Sequence, residues 1–455
     1  MQFELTKEYI DNLKEIINNK DEAQAKWLMG ELYAVEIAEI YDKLTVDEAK
    51  FLFLLLEGEI AADVLAELED DDRERFLKVL PPELIAKKFI DEMDSDDAAD
   101  VLSDLPDSMK DKVLQNLSDL EQAGDIVDLL NYHEDTAGGL MAKELIKVNL
   151  DWSIKTCIKE LGRQAKDVDE VYYVYVVDND DVLHGTLSLK KLLISQEGAR
   201  IGDIYNPEII SVKTDEPSEE VAKIMQKYDL VALPVTDTIG RLLGRITIDD
   251  VIDVMREEAD KDYQMASGIS ENVESSDGIW LLTRARLPWL LIGLAGGIVG
   301  SIVISGFENE IAKYAAMAFF IPLIAGMGGN VGVQSAAIVV QGLASNTLGL
   351  DSTFRKVVKE FSVALINAIS LSSIVFFYNL AFSDSYALTL AVSLSLFMVL
   401  VFSSVFGTFV PLTLHRFKID PALATGPFIT TVNDILGTFI YMFTAKFIFS
   451  YYAGI

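Results

Sequence analysis

From Pro288 to Phe307 the chain reads PWLLIGLAGGIVGSIVISGF, 20 residues without a charged side chain. A helix of that length rises about 30 Å, the thickness of the hydrocarbon core of a bilayer, and satisfies its own backbone amides where no water can do so. The stretch predicts a membrane-spanning helix. Apolar stretches over 314–344, 361–381, 386–414 and 422–453 predict four more, the second interrupted by the Gly-rich run GMGGNVG.

The charges between these stretches orient them. Arg284 and Arg286 precede the first, Arg355, Lys356 and Lys359 lie between the second and third, and Arg416 and Lys418 between the fourth and fifth. All of these fall on one side of a five-span chain. The opposite loops carry Glu308, Glu310 and Lys313, then Asp384 alone. The positive-inside rule therefore puts the N-terminal part in the cytosol and the C-terminus outside, and the acidic, amphipathic start predicts no signal peptide.

Residues 1–280 hold 65 Asp+Glu against 29 Lys+Arg, a net of −36, whereas 281–455 hold 7 against 9, a net of +2. So acidic a surface repels nucleic-acid phosphates and attracts divalent cations. The only cysteine, Cys157, excludes a disulfide framework or thiolate metal cluster and fits a reducing compartment.

Asp434 stands out inside the fifth stretch, within FITTVNDILGTFIYMF. A carboxylate at the middle of a membrane helix costs roughly 2.5–3.5 kcal/mol, so it usually faces a pore, a cation or a partner. The bland alternative is a snorkelling or helix-paired acid near the cytosolic end. Gly326, Gly328, Gly329 and Gly332 surround Asn330 and precede Gln334. They serve either close helix packing or an unwound segment whose carbonyls and amides line a hydrated cavity.

The first 135 residues read as short amphipathic helices. EIAADVLAELEDDDRERFLKVL (59–80) and DDAADVLSDLPDSMKDKVLQNL (96–117) match at a period of 37, an α-solenoid signature. Asp94, Asp96, Asp97, Asp100 and Asp104 crowd one helix start, which fits capping or ion binding equally well. From about 140 the texture turns β-rich, and VYYVYVVDNDDVLHGTLSLKKLLI (171–194) repeats as LVALPVTDTIGRLLGRITIDDVID (230–253) at a period of 59. Each copy follows a helix, at 153–164 and 217–228, and the pair resembles a tandem CBS module, a regulatory fold that often dimerises. His133, His184 and His415 lack partners at metal-ligand spacing.

The whole chain resembles the MgtE family of bacterial Mg²⁺ channels and transporters. The anchors are Asp135-Thr136-Ala137-Gly138-Gly139-Leu140-Met141, Gly329-Asn330-Val331-Gly332-Val333-Gln334-Ser335, and Asp420-Pro421-Ala422 with Pro427 and Asp434. The resemblance implies an acidic α-solenoid-like N domain (1–135), α/β tandem CBS domains (136–256, about 140–200 and 201–256), a connecting plug helix (257–283) and an all-α membrane domain of five helices (284–455). It implies a homodimer in the bacterial inner membrane, with Mg²⁺ both transported and regulatory and other divalent cations to be tested. Asp434 becomes the pore ligand, lined by Asn330, Gln334, Gly426 and Thr430. Asp250, Glu258 and Glu219 become cytosolic sensor ligands, with Asp97 and Asp100 as their N-domain counterparts. Some relatives carry Asn at Gly426, and Val333 stands where others are polar. Some bind ATP through an acid after Ser-Leu-x; Ser188-Leu189-Lys190-Lys191 lacks it, so weak or no ATP binding is expected.

A CBS-regulated membrane enzyme is the main rival from another class. No HExxH or GxSxG is present, and no His or Cys within the spans can act as base or nucleophile. A non-transporting Mg²⁺ receptor is the other rival.

Overall fold

The computed structural model describes residues 5–166, 168, 171–196, 198–274, 277–344, 353–424 and 426–453; the side chains of Ala344, Thr353, Phe354, Lys356, Ala424 and Ala453 lie outside them. The chain forms two compact units, Met1–Met255 and Arg256–Ile455.

The first unit opens with short helices: α1 (Lys7–Asn18), α2 (Glu22–Met29), α3 (Ala34–Tyr41), α4 (Val46–Leu55), α5 (Gly58–Ala66), α6 (Asp70–Leu77), α7 (Pro82–Lys88), α8 (Ser95–Ser103), α9 (Asp107–Leu114) and α10 (Leu120–Leu129). None is long enough to be stable alone, so each depends on burying one face. Caps set several starts: Thr6 accepts from Tyr9 N–H, and Thr45 with Glu48 forms a capping box before α4. The 37-residue repeat is a repeated helix pair, since α5 and α6 begin at 58 and 70 while α8 and α9 begin at 95 and 107. Phe76 fills the centre, edge-on to Phe53 at 5.0 Å and to Phe89 at 6.0 Å between ring centroids. Buried Arg73 bridges the copies, donating from Nε to Asp104 (2.7 Å) and from Nη2 to Asp70 (2.7 Å).

Two three-stranded sheets follow. β1 (Ile146–Asn149) pairs parallel with β2 (Val174–Val177), which pairs antiparallel with β3 (Leu183–Leu187); β4 (Val212–Lys213), β5 (Ala232–Thr236) and β6 (Leu242–Thr247) repeat that order. Helices α11 (Ile154–Gln164), α12 (Leu189–Ile194) and α13 (Ser218–Tyr228) flank the sheets, and β6 runs directly into α14 (Ile248–Ala266). The 59-residue repeat is therefore one β-α-β-β-α unit used twice. The Asp135–Met141 segment stitches the entry to the second copy: Ala137 N–H donates to Glu216 C=O (2.8 Å), Gly138 N–H to Thr214 C=O (2.9 Å), and Ser218 N–H to Asp135 C=O (3.0 Å). A Cβ at Gly138 would press into the Tyr132 ring, which is why glycine stands there.

The second unit carries α15 (Ile279–Ser305), α16 (Glu308–Lys313), α17 (Ile321–Ala344), α18 (Thr353–Phe382), α19 (Tyr386–Arg416) and α20 (Gly426–Ala453). Among the described residues, five helices are long and apolar enough to cross a membrane. Their shared core gathers Ile324, Ala368, Val392, Leu396, Val399, Leu400, Tyr441 and Met442, with the Tyr441 hydroxyl donating to Met317 C=O (2.9 Å).

The Gly-rich run is not an unwound segment. It lies within the unbroken helix α17, and its glycines bring backbones together instead. A Cβ on Gly407 of α19 would strike the Gly332 carbonyl, one on Gly332 would strike the Asn433 amide of α20, and one on Gly328 would sit 2.9 Å from Val399 Cγ1.

Candidate functional site

Asp434 sits two turns into α20, half-buried, against the glycine face of α17. A methyl group on Gly329 would lie 3.4 Å from Asp434 Oδ1 and 3.2 Å from Thr430 Cγ2. The small residue thus gives the carboxylate its space. Thr430 donates its hydroxyl to Gly426 C=O (2.9 Å), one turn earlier, which leaves the oxygen's lone pairs free to accept. Gly426 adopts φ +45°, and a side chain there would meet the Ala266 carbonyl at the end of α14. A bulkier residue at 426 is therefore excluded in this chain. Asn330 and Gln334, four residues apart on α17, are both exposed on one helix face, roughly opposite the packed glycines.

Asn433, beside the acid, was not singled out from the sequence. It is fully buried against Gly332, and neither amide atom has a hydrogen-bond partner among the described residues. Nothing in the apolar run distinguishes it, because its meaning comes from the glycine opposite.

In the first unit, Asp94, Asp96 and Glu144 each place one carboxylate oxygen within 4.8 Å of the others. Ser95 holds Glu144 through its N–H (3.2 Å) and hydroxyl (2.7 Å), and Ser95 Oγ accepts from Lys143 N–H (2.9 Å). Loss of surrounding solvent drives the Asp96 carboxyl well above the usual range, with the charges of Asp250, Asp97, Asp94 and Glu144 adding to it. Asp97 is pushed up to about 7 by the protein crowding it, then by Asp250 and Asp94. Asp100 is pushed up to about 7 by the same loss of solvent, then by Asp97, with Arg73 opposing. Both side chains still reach water, which caps the effect.

Asp250 joins this group from the start of α14. Partial burial raises its carboxyl, opposed by Thr247 N–H (3.1 Å) and hydroxyl (2.8 Å), both donating to Oδ2. The structure thus brings Asp97, Asp100 and Asp250 together, with Asp94, Asp96 and Glu144 as the tightest donor set. Two other sequence candidates have cationic neighbours: exposed Glu219 pairs with Lys223 (2.7 Å) on α13, and Glu258 with Lys261 (3.0 Å) on α14. Glu144 follows a glycine motif without any pattern of its own, so only the fold could reveal it. Clustered carboxylate oxygens that repel one another suit a hard divalent cation.

Comparison with known proteins decides the family. The magnesium transporter MgtE of Enterococcus faecalis is 35% identical over 443 residues, 97% of each chain. The chain belongs to the MgtE family. The family description "Divalent cation transporter" matches residues 321–444, the MgtE intracellular N domain 32–135, and the CBS domain 137–197 and 201–257. The magnesium transporter MgtE of Thermus thermophilus is 37% identical over 325 residues, 71% of this chain and 72% of its own. The crystal structure of the cytosolic domain of the Mg²⁺ channel MgtE in complex with ATP covers 54% of this chain and 99% of its own, at 33% identity and a TM-score of 0.50. MgtE proteins are transporters, and this one is not an enzyme.

Proposed function

We propose that this MgtE protein conducts Mg²⁺ into the cell past Asp434 and is closed by Mg²⁺ at the acidic cluster of its first unit. The observation that carries the pathway is a half-buried carboxylate inside a membrane helix, given room by Gly329. Mg²⁺ sheds its waters reluctantly, and a rigid polar ring can select the hydrated ion without stripping it. Two Asp434 carboxylates across a homodimer axis, with Thr430 and the Gly426 backbone nearby, make such a ring. Asn330 and Gln334 then face the hydrated path or the partner copy, where amides are useful rather than costly.

The regulatory reading rests on electrostatics. Asp94, Asp96 and Glu144, supported by Asp250, Asp97 and Asp100, repel one another until a divalent cation joins them. The bound ion favours the compact arrangement of N domain (1–135), CBS domains (136–256) and plug helix (257–283), and its loss favours opening of the membrane domain (284–455). Glu219 and Glu258 complete the sensor only by exchanging their lysine partners for the ion. The N-terminus is cytosolic and the C-terminus outside, a placement the loop charges support. Mg²⁺ uptake into proteoliposomes, with Co²⁺, Mn²⁺ and Ca²⁺ in parallel, tests the assignment. A protein that binds Mg²⁺ and changes shape without any flux is a receptor and not a channel.

A further inference from the structure

The membrane unit holds another acid with a built environment. Glu360 lies in the first turns of α18, half-buried, and its Oε1 accepts from Ser335 Oγ of α17 (2.7 Å) and Ser404 Oγ of α19 (2.9 Å). The two hydroxyl oxygens are 2.9 Å apart, and both serines are nearly inaccessible, at 3% and 1% exposure. Three spans converge on one carboxylate oxygen. Its second oxygen, Oε2, has no hydrogen bond or ion pair among the described residues. The sequence gives no hint of this, because Glu360 stands one residue before an apolar stretch and beside Lys359.

Its place relative to Asp434 follows from α17. Gly329 faces Asp434, Gly332 faces Asn433 and Ser335 faces Glu360, each three residues on along the same helix. Six residues of helix rise about 9 Å. Ser335 is nearer the end of α17 that the loop charges place in the cytosol. A glycine-to-serine stripe thus leads inward from one carboxylate to the next.

Resting on the pathway reading above, we propose that Glu360 is a second permeation carboxylate, an inner station that draws the divalent cation from Asp434 toward the cytosolic mouth. Here two buried donors fix and solvate Oε1, while Oε2 has no partner among the described residues. Its charge acts through space on a doubly charged ion, and a unit charge about 10 Å away in a partly hydrated path changes cation occupancy by roughly three- to tenfold.

The test uses the full chain in proteoliposomes, comparing Mg²⁺ uptake at sub-saturating Mg²⁺ for wild type, Glu360→Gln, Glu360→Asp and Asp434→Asn. Glu360→Gln keeps an acceptor for both serines and removes only the charge. The expected result is a three- to tenfold slower uptake with unchanged melting temperature, while Glu360→Asp stays within about twofold of wild type. A folded Glu360→Gln protein that transports like wild type overturns the proposal and leaves Glu360 as a helix tie. Should Glu360→Gln fail to fold, Glu360→Asp decides: wild-type uptake supports the proposal, and loss of uptake in the folded protein overturns it. Asp434→Asn separates the two readings. Normal flux in that variant sinks the pathway itself, whereas a dead Asp434→Asn beside a normal Glu360→Gln sinks the inner station alone.

Discussion

Asp434 Oδ1 of α20 lies where a methyl group on Gly329 of α17 would come within 3.4 Å of it. The space for an intramembrane carboxylate is therefore made by a residue on another span, and the glycine run is the complement of the acid.

That complementarity ranks glycine substitutions. Gly407→Ala would drive a methyl into the Gly332 backbone carbonyl, and backbone cannot rotate away. Gly332→Ala meets the Asn433 amide, and Gly329→Ala meets only Thr430 and Asp434 at ordinary or slightly tight distance. Overpacking costs about 1–3 kcal/mol, occasionally more. Thermal unfolding in detergent should place Gly407→Ala as most destabilised, by about 3 kcal/mol, and Gly329→Ala as least. Equal stabilities would mean the helices are not so tightly apposed.

The acidic cluster predicts an inverted pH dependence. The Asp97 and Asp100 carboxyls titrate near 7 in the folded protein, above their unfolded values, and Asp96 and Asp250 shift the same way. Groups raised in this manner contribute stability that is fully present below about pH 4 and lost as pH rises through about 7. In chelator, the melting transition of the first unit should fall from pH 5.5 to 7.5. Millimolar Mg²⁺ should erase that fall at pH 7.5, and a transition that rises over the same interval contradicts the cluster.

Ligand removal follows from the same geometry. Asp96→Asn with Glu144→Gln should abolish most Mg²⁺-dependent protection of residues 131–145 from proteolysis, and leave transport active at high Mg²⁺. Glu219→Gln should do less, because its partner Lys223 is already present. Protection by K⁺ at equal ionic strength would show screening rather than binding.

Much of this architecture was legible from one sequence. The 37- and 59-residue repeats survive as helix pairs and β-α-β-β-α units because each period encodes one buried face and its turns. The five spans were legible because their hydropathy admits no other solvent. The Gly-rich run left two readings open: glycine signals both unwinding and close approach, and only the partners on α19 and α20 distinguish them. Glu144 and Asn433 escaped for a similar reason, since each acquires its role from residues distant in the chain.

Nucleotide binding gives an independent check on the CBS module. The position after Ser188-Leu189 is Lys190, followed by Lys191, where an acid would hold a ribose. Calorimetric titration of the full chain should show weak or no ATP binding, whereas Lys191→Asp should strengthen it. Tight, saturable binding by wild type would mean other residues hold the nucleotide.

Mg²⁺ uptake by proteoliposomes carrying Asp434→Ala tests the central claim most directly. The proposed ion path depends on the Asp434 carboxylate of α20, so its removal should abolish uptake while the protein still assembles and melts as wild type does. Uptake at the wild-type rate in a correctly folded Asp434→Ala protein would contradict the pathway.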